Sequence, residues 1–80
     1  MNIIIHPGET IRELIETYGI NQKDVALKCR YSTKHISEII NGKKGISNKL
    51  AIRLGTLFNI EPSFFVLLQL NYEIETKVYD

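Results

Sequence analysis

NQKDVALKCRYSTKHISEIING, residues 21–42, contains two short helices and the turn between them. Asn21 carries a side-chain oxygen suited to capping the first helix, along which Val25, Ala26 and Cys29 recur at the helical period. Ser32 stands in the same position before the second, where Ile36, Ile39 and Ile40 make one apolar stripe and Asn41 with Gly42 supplies the stop. Two capped helices joined this tightly outline a helix-turn-helix. The second helix of such a unit has the width of a probe for the DNA major groove, which is about 12 Å across.

The chemistry of that second helix differs between its two faces. Thr33, Lys34, Ser37 and Glu38 project opposite the isoleucines, with His35 at the border. Lys34 can donate to guanine acceptors and Glu38 can accept from a cytosine amino group, so these four are the expected base-contacting residues. A reading helix also needs phosphate contacts to hold its register. Gln22 at the start of the first helix, where backbone N–H groups and the helix dipole favour an anion, is one expected grip. Asn41, Lys43 and Lys44 after the second helix are the others. Each has a blander reading, as a helix former, a helix stop or a solubilising charge, and a polar face is what any surface helix carries.

Charge is distributed in a way that favours the DNA reading. The whole chain is only +1, yet residues 21–53 hold eight lysines and arginines against Asp24 and Glu38, while both flanking segments are net acidic. A cationic face on an otherwise neutral body describes this pattern better than a neutral protein does.

Working outward, three more helices are expected. Pro7 suits the first turn of a helix with Ile11, Leu14, Ile15 and Tyr18 inward and Gly19 as its left-handed stop. Ser47 can cap a helix bearing Leu50, Ala51, Leu54, Leu57 and Phe58 on one side. Pro62 and Ser63 open a fifth that runs through Phe64 to Tyr72 or beyond. Four starts share a hydrophobic staple, pairing Ile20 with Val25, Tyr31 with Ile36, Ile46 with Ala51 and Ile60 with Phe65, which sets the angle of chain entry. The expected fold is all-α, a compact five-helix bundle in which helices 2 and 3 form the helix-turn-helix.

Eighty residues suffice for one domain with one core, spanning residues 1–80 with a short apolar arm at 1–5 and an acidic tail at 73–80. Ile3, Ile4 and Ile5 suit either a short strand or an arm that faces a partner. A lone cysteine excludes an internal disulfide framework, and Cys29 is expected as a small buried side chain. The start resembles no signal peptide and no apolar run approaches the ~20 residues of a membrane span, so the expected location is the cytoplasm, with no membrane partner. His6 and His35 are far apart, and no HExxH, GxSxG or phosphate-binding glycine loop is present. No enzyme activity, metal or cofactor is expected; His6 is assigned a structural place before helix 1 and His35 a half-exposed one on helix 3.

Three longer stretches, HPGETIRELIETYGINQKDVA, STKHISEIINGKKGIS and LAIRLGTLFNIEPSFFVLLQLNYE, resemble the HigA-type antitoxins of the Xre, or Cro/cI-like, helix-turn-helix superfamily. HPGE followed by the glutamine-bearing second helix and then NGK..IS is more specific than a bare helix-turn-helix, and the resemblance covers nearly the whole chain. It implies a lambda-repressor-like DNA-binding domain acting as a dimeric repressor of its own toxin–antitoxin operon. It also implies a partner, a RelE-like mRNA-cleaving toxin of the HigB kind. The family's DNA contacts would fall on Gln22, Thr33, Lys34, Ser37, Glu38 and the Asn41–Lys44 loop. Two positions depart from the pattern: CRY replaces the more usual LGV, and Arg30 stands where the family has glycine, at a cost of roughly 1 kcal/mol if the turn is left-handed.

Helix 5 bears on the oligomeric state, because FFVLLQL is apolar almost all round. Phe65 and Leu68 are expected on the monomer core, leaving Phe64, Leu67 and Leu70 for a twofold interface. Such symmetry would place two reading helices about 34 Å apart on an inverted-repeat operator. Open alternatives are a stand-alone regulator with no toxin, a protein-interaction module that has lost DNA binding, and the front part of a longer regulator.

Overall fold

Each expected helix forms, and its end groups show why. The computed structural model describes residues 3–79, with side chains as far as Lys77, and contains α1 (Pro7–Tyr18), α2 (Gln22–Cys29), α3 (Thr33–Ile40), α4 (Asn48–Phe58) and α5 (Pro62–Tyr79). At α2 the Asn21 Oδ1 accepts from the Asp24 N–H at 2.9 Å while the Asp24 carboxylate accepts from the Asn21 N–H at 3.4 Å, a reciprocal capping box. Ser32 Oγ accepts from His35 N at 3.0 Å and Ser47 Oγ from Leu50 N at 3.1 Å, opening α3 and α4. Gly19 ends α1 at φ 67. Residues 3–6 form no strand, and Ile3 and Ile5 are exposed.

Stripes of opposite helices meet in one core. Ile11 from α1, Val25, Ala26 and Cys29 from α2, Ile36, Ile39 and Ile40 from α3, Leu50, Ala51, Leu54 and Phe58 from α4, and Phe65 from α5 are all buried, joined by Ile46 from the loop. Ile20, Tyr31 and Ile60, three of the residues expected to staple a helix entrance, lie partly buried against this cluster. One expectation needs correcting: Tyr18 is 52% exposed and not a core residue. Its hydroxyl donates to the Phe58 carbonyl at 3.2 Å and its ring meets Phe58 edge-on, so it closes the end of α4 from outside. Spacing places Tyr18 on the apolar side of α1, but a phenol keeps its oxygen near water by lying across the core's rim.

Two glycines allow backbones to approach where a side chain would collide. A Cβ on Gly8 would run into the Ile39 carbonyl and sit 2.9 Å from Ile40 Cα, so α1 crosses the end of α3 in direct backbone contact. A Cβ on Gly55 would come within 2.6 Å of the Ile60 carbonyl and 3.0 Å of Pro62, which permits the tight turn from α4 into α5.

Candidate nucleic-acid interface

The turn that aims α3 is held from several sides. Arg30 takes the left-handed conformation, φ 60 and ψ 42, and the turn closes with Tyr31 N–H donating to the Ala26 carbonyl at 3.0 Å. Arginine therefore adopts the glycine geometry and bears its strain. Arg53 of α4 helps hold the turn, donating from Nη1 to the Cys29 carbonyl at 3.0 Å with its guanidinium 5.7 Å from the centre of the Tyr31 ring. Tyr31 in turn packs on the His35 ring at 4.7 Å and shares a 3.2 Å hydroxyl contact with Ser47. Cys29 beneath is fully buried; burial pushes its thiol pKa up against the opposing pull of Arg53, which disfavours the reactive thiolate.

The far end of α3 is fixed by α1. Gly8 abuts Ile39 and Ile40, and Arg12 donates to the Ile40 carbonyl at 3.4 Å. With both ends anchored and the isoleucine stripe buried, the opposite face is left to solvent. Thr33 and Lys34 are exposed in the first turn of α3, while Ser37 and Glu38 are half-buried one turn later.

Ser37 and Glu38 are also tied to the loop that follows. Asn41 Nδ2 donates to Ser37 Oγ at 3.3 Å, and the Glu38 carboxylate pairs with Lys44 Nζ at 3.5 Å. The Glu38 carbonyl accepts from Lys43 N at 2.7 Å and Lys44 N at 3.3 Å, with Gly42 turning the chain at φ 80. The candidate base-contacting residues and the candidate phosphate loop are thus one continuous surface. Glu38 is half-committed to shaping the loop as well as facing outward. Asn41, Lys43 and Lys44 are exposed; Gln22 is half-buried in the first turn of α2.

Two contributors to this surface carry little sequence signal. His6 caps α1, its Nδ1 accepting from the Gly8 N–H at 2.9 Å, and its ring stands edge-on to Tyr72 of α5 at 4.7 Å. Burial lowers the His6 pKa, with the Glu9 carboxylate and the Lys44 backbone pulling the other way. Gln69 of α5 accepts from the Ile46 N–H at 2.8 Å. A polar residue repeating with Phe65 and Tyr72 on one side of an apolar helix was the available sign that it faces a polar partner.

Elsewhere the surface offers cations and apolar rows. An open groove of about 460 Å³ is lined by Lys28, Arg30, Arg53, Thr56 and Leu57, a set with no carboxylate or imidazole to act as a general base. No group of three or more metal-ligating side chains occurs among the described residues. No described helix is long and apolar enough to cross a membrane. On α5, Phe64 (41%), Leu67 (52%), Leu70 (45%) and Ile74 (51%) are exposed in a row.

Comparison with known proteins matches this architecture. The helix-turn-helix family profile fits residues 11–65. Antitoxin HigA of Pseudomonas aeruginosa, solved with the higBA promoter, superposes with a TM-score of 0.89 at 33% identity, covering 94% of this chain and 83% of that one. An addiction-module antidote protein of the HigA family from Coxiella burnetii superposes at 0.88 with 29% identity, covering 98% and 86%. Virulence-associated protein A' of Dichelobacter nodosus is 40% identical over 70 residues, which are 86% of this chain and 61% of that protein, so the chain spans under two thirds of that relative's length.

Proposed function

Because the chain belongs to the helix-turn-helix family, in its Xre branch among HigA-like antitoxins, we propose that it is a dimeric operator-binding repressor that also neutralises a toxin encoded beside it. The observation that carries the DNA part is the whole-domain likeness to an antitoxin solved with its promoter, combined with an α3 whose Thr33 and Lys34 are exposed and whose flanking loop presents Lys43 and Lys44. In this reading Thr33, Lys34, Ser37 and Glu38 meet base edges. Gln22, with the α2 N-terminal N–H groups, and Asn41, Lys43 and Lys44 hold the phosphates on either side.

Phe64, Leu67 and Leu70 pair two chains across a twofold axis and set the two α3 helices on successive major grooves of an inverted repeat. The toxin is a RelE-like mRNA-cleaving protein of the HigB kind, and the cell compartment is the cytoplasm. Support for this last part is family membership alone.

Binding to a duplex from the chain's own promoter tests the DNA part. Affinity is expected to fall by orders of magnitude between ~50 and ~200 mM salt. Alanine at Lys43 and Lys44 together lowers the slope of log K against log salt by about 2 and weakens all duplexes alike. Alanine at Lys34 relaxes sequence preference instead. A parent-like result for both variants removes the proposed reading face. For the toxin part, the product of the adjacent reading frame is expected to co-purify and to be toxic alone; a harmless, non-binding neighbour overturns the antitoxin reading and leaves the DNA reading standing.

A further inference from the structure

We propose that Gln69 is a positioning residue for the phosphate-gripping loop, holding from α5 the backbone that presents Lys43 and Lys44 to DNA; this rests on the DNA-binding reading above. The contact begins in the sequence of α5, where Phe65, Gln69, Tyr72 and Thr76 recur at i, i+4, i+7 and i+11. Phe65 is buried and the other three are half-buried, so this row faces the body of the domain while Phe64, Leu67 and Leu70 face away.

Gln69 carries both a donor and an acceptor, and its surroundings orient it. Its Nε2 donates to Glu73 Oε1 at 3.3 Å, one turn along the same helix, which leaves Oε1 to accept from Ile46 N at 2.8 Å. Ile46 is buried, and its N–H lies between the exposed run 41–45 and the Ser47 cap of α4. Gly45 leaves room for the amide: a Cβ there would meet Gln69 Nε2 at 2.7 Å and Oε1 at 2.8 Å. One turn further along α5, Tyr72 stands edge-on to the His6 ring, whose Cγ lies 3.8 Å from where a Cβ on Gly42 would sit.

The loop is therefore clamped on two sides. From α3, Glu38 binds the backbone N–H groups of Lys43 and Lys44 and the Lys44 ammonium. From α5, Gln69 fixes Ile46, and Tyr72 supports His6 beneath Gly42. Two flexible ammonium groups reach defined phosphates only if the backbone that carries them is fixed, and a loop with glycine at 42 and 45 does not fix itself. Gln69 supplies the restraint that the loop's own residues lack.

The test breaks the same contact from its two sides, with Gln69→Leu and with Gly45→Ala, in the full chain. Promoter and scrambled duplexes of equal length are titrated across a salt series, with melting and sedimentation recorded for every variant. Both variants are expected to fold and to keep the parent's oligomeric state, yet to lose about 10-fold in affinity for both duplexes near 150 mM salt. Their salt slopes should be shallower by about 1–2, as when one or two phosphate contacts loosen, with the promoter-to-scrambled ratio kept. The double variant is expected to be no worse than either single one, because both remove one shared contact.

A folded Gln69→Leu protein with the parent's slope and affinity overturns the proposal, as does a loss confined to the promoter duplex. Gly45→Ala leaves the sequence of α5 unchanged and decides the matter alone should Gln69→Leu not fold. A parent chain that binds neither duplex overturns the DNA reading itself and this proposal with it, a result seen before any substitution is made.

Discussion

Arg30 shows how a residue with a Cβ can occupy a left-handed turn that favours glycine. Its backbone sits at φ 60, where a Cβ crowds the following carbonyl, so replacing it with glycine removes strain while the hydrogen bond from Tyr31 N to Ala26 remains. Arg30→Gly is expected to stabilise the domain by about 1 kcal/mol, read as a melting temperature raised by about 4–8 °C. His6 gives a second expectation, this one dependent on pH. Burial holds its folded-state pKa below the ordinary 6.5, so below that value the unfolded chain binds the proton more readily than the folded one. Protonation also removes the lone pair of Nδ1 that caps α1. The stability contributed by neutral His6 is present above pH 6.5 and is lost as pH falls into the acid range, so melting temperature should drop from pH 7.5 to 5.5. His6→Asn, which keeps a capping oxygen without a titrating ring, should flatten that fall; an unchanged pH profile would remove His6 as its source.

At the scale of helices, much was legible because starts and stops rest on local chemistry. Asn21, Ser32 and Ser47 cap the helices that their side-chain oxygens suggested, and Gly19 and Gly42 turn the chain with positive φ at the ends expected of them. The unread parts depend on contacts between elements, which periodicity does not encode. Tyr18 lies on the apolar side of α1 yet caps α4 from outside, and Gln69 appears as a lone polar letter until the Ile46 N–H stands opposite it. Glu38 could be placed on the outer face of α3 from spacing, but its hold on Lys44 requires the loop's path. Gly8 belongs to the same group: the HPGE opening could be recognised, whereas the reason for its glycine is the Ile39 carbonyl on another helix. Gly8→Ala is expected to separate α1 from α3 and cost several kcal/mol, in the range of severe overpacking, which urea titration followed by circular dichroism would record. Near-parent stability would mean that the two helices can slide apart cheaply.

At the scale of the whole molecule, α5 carries an apolar row that the core does not cover. Phe64, Leu67 and Leu70, continued by Ile74, leave α5 with an exposed row on the side away from Gln69 and Tyr72. A glutamate at the centre of that row should block pairing while sparing the buried Phe65 beneath it. Leu67→Glu is expected to sediment as a folded monomer and to lose at least 10-fold in affinity for an inverted-repeat duplex, while a single half-site is bound as the parent binds it. A dimeric Leu67→Glu protein would move the interface elsewhere. In the proposed dimer, α5 would have two tasks on two faces, contact with a second copy outside and support of the proposed phosphate loop within.

The uneven anchoring of the α3 face has a consequence for how such proteins diverge. Thr33 and Lys34 are exposed in the first turn, whereas Ser37 and Glu38 are hydrogen-bonded or ion-paired to the loop behind them. On the proposed reading face, new specificities should therefore arise first at positions 33 and 34, where a substitution would change base contacts without loosening the clamp. Duplicated copies in one cell could then become insulated from each other's operators by drift at two sites, while 37 and 38 change only in step with 41 and 44.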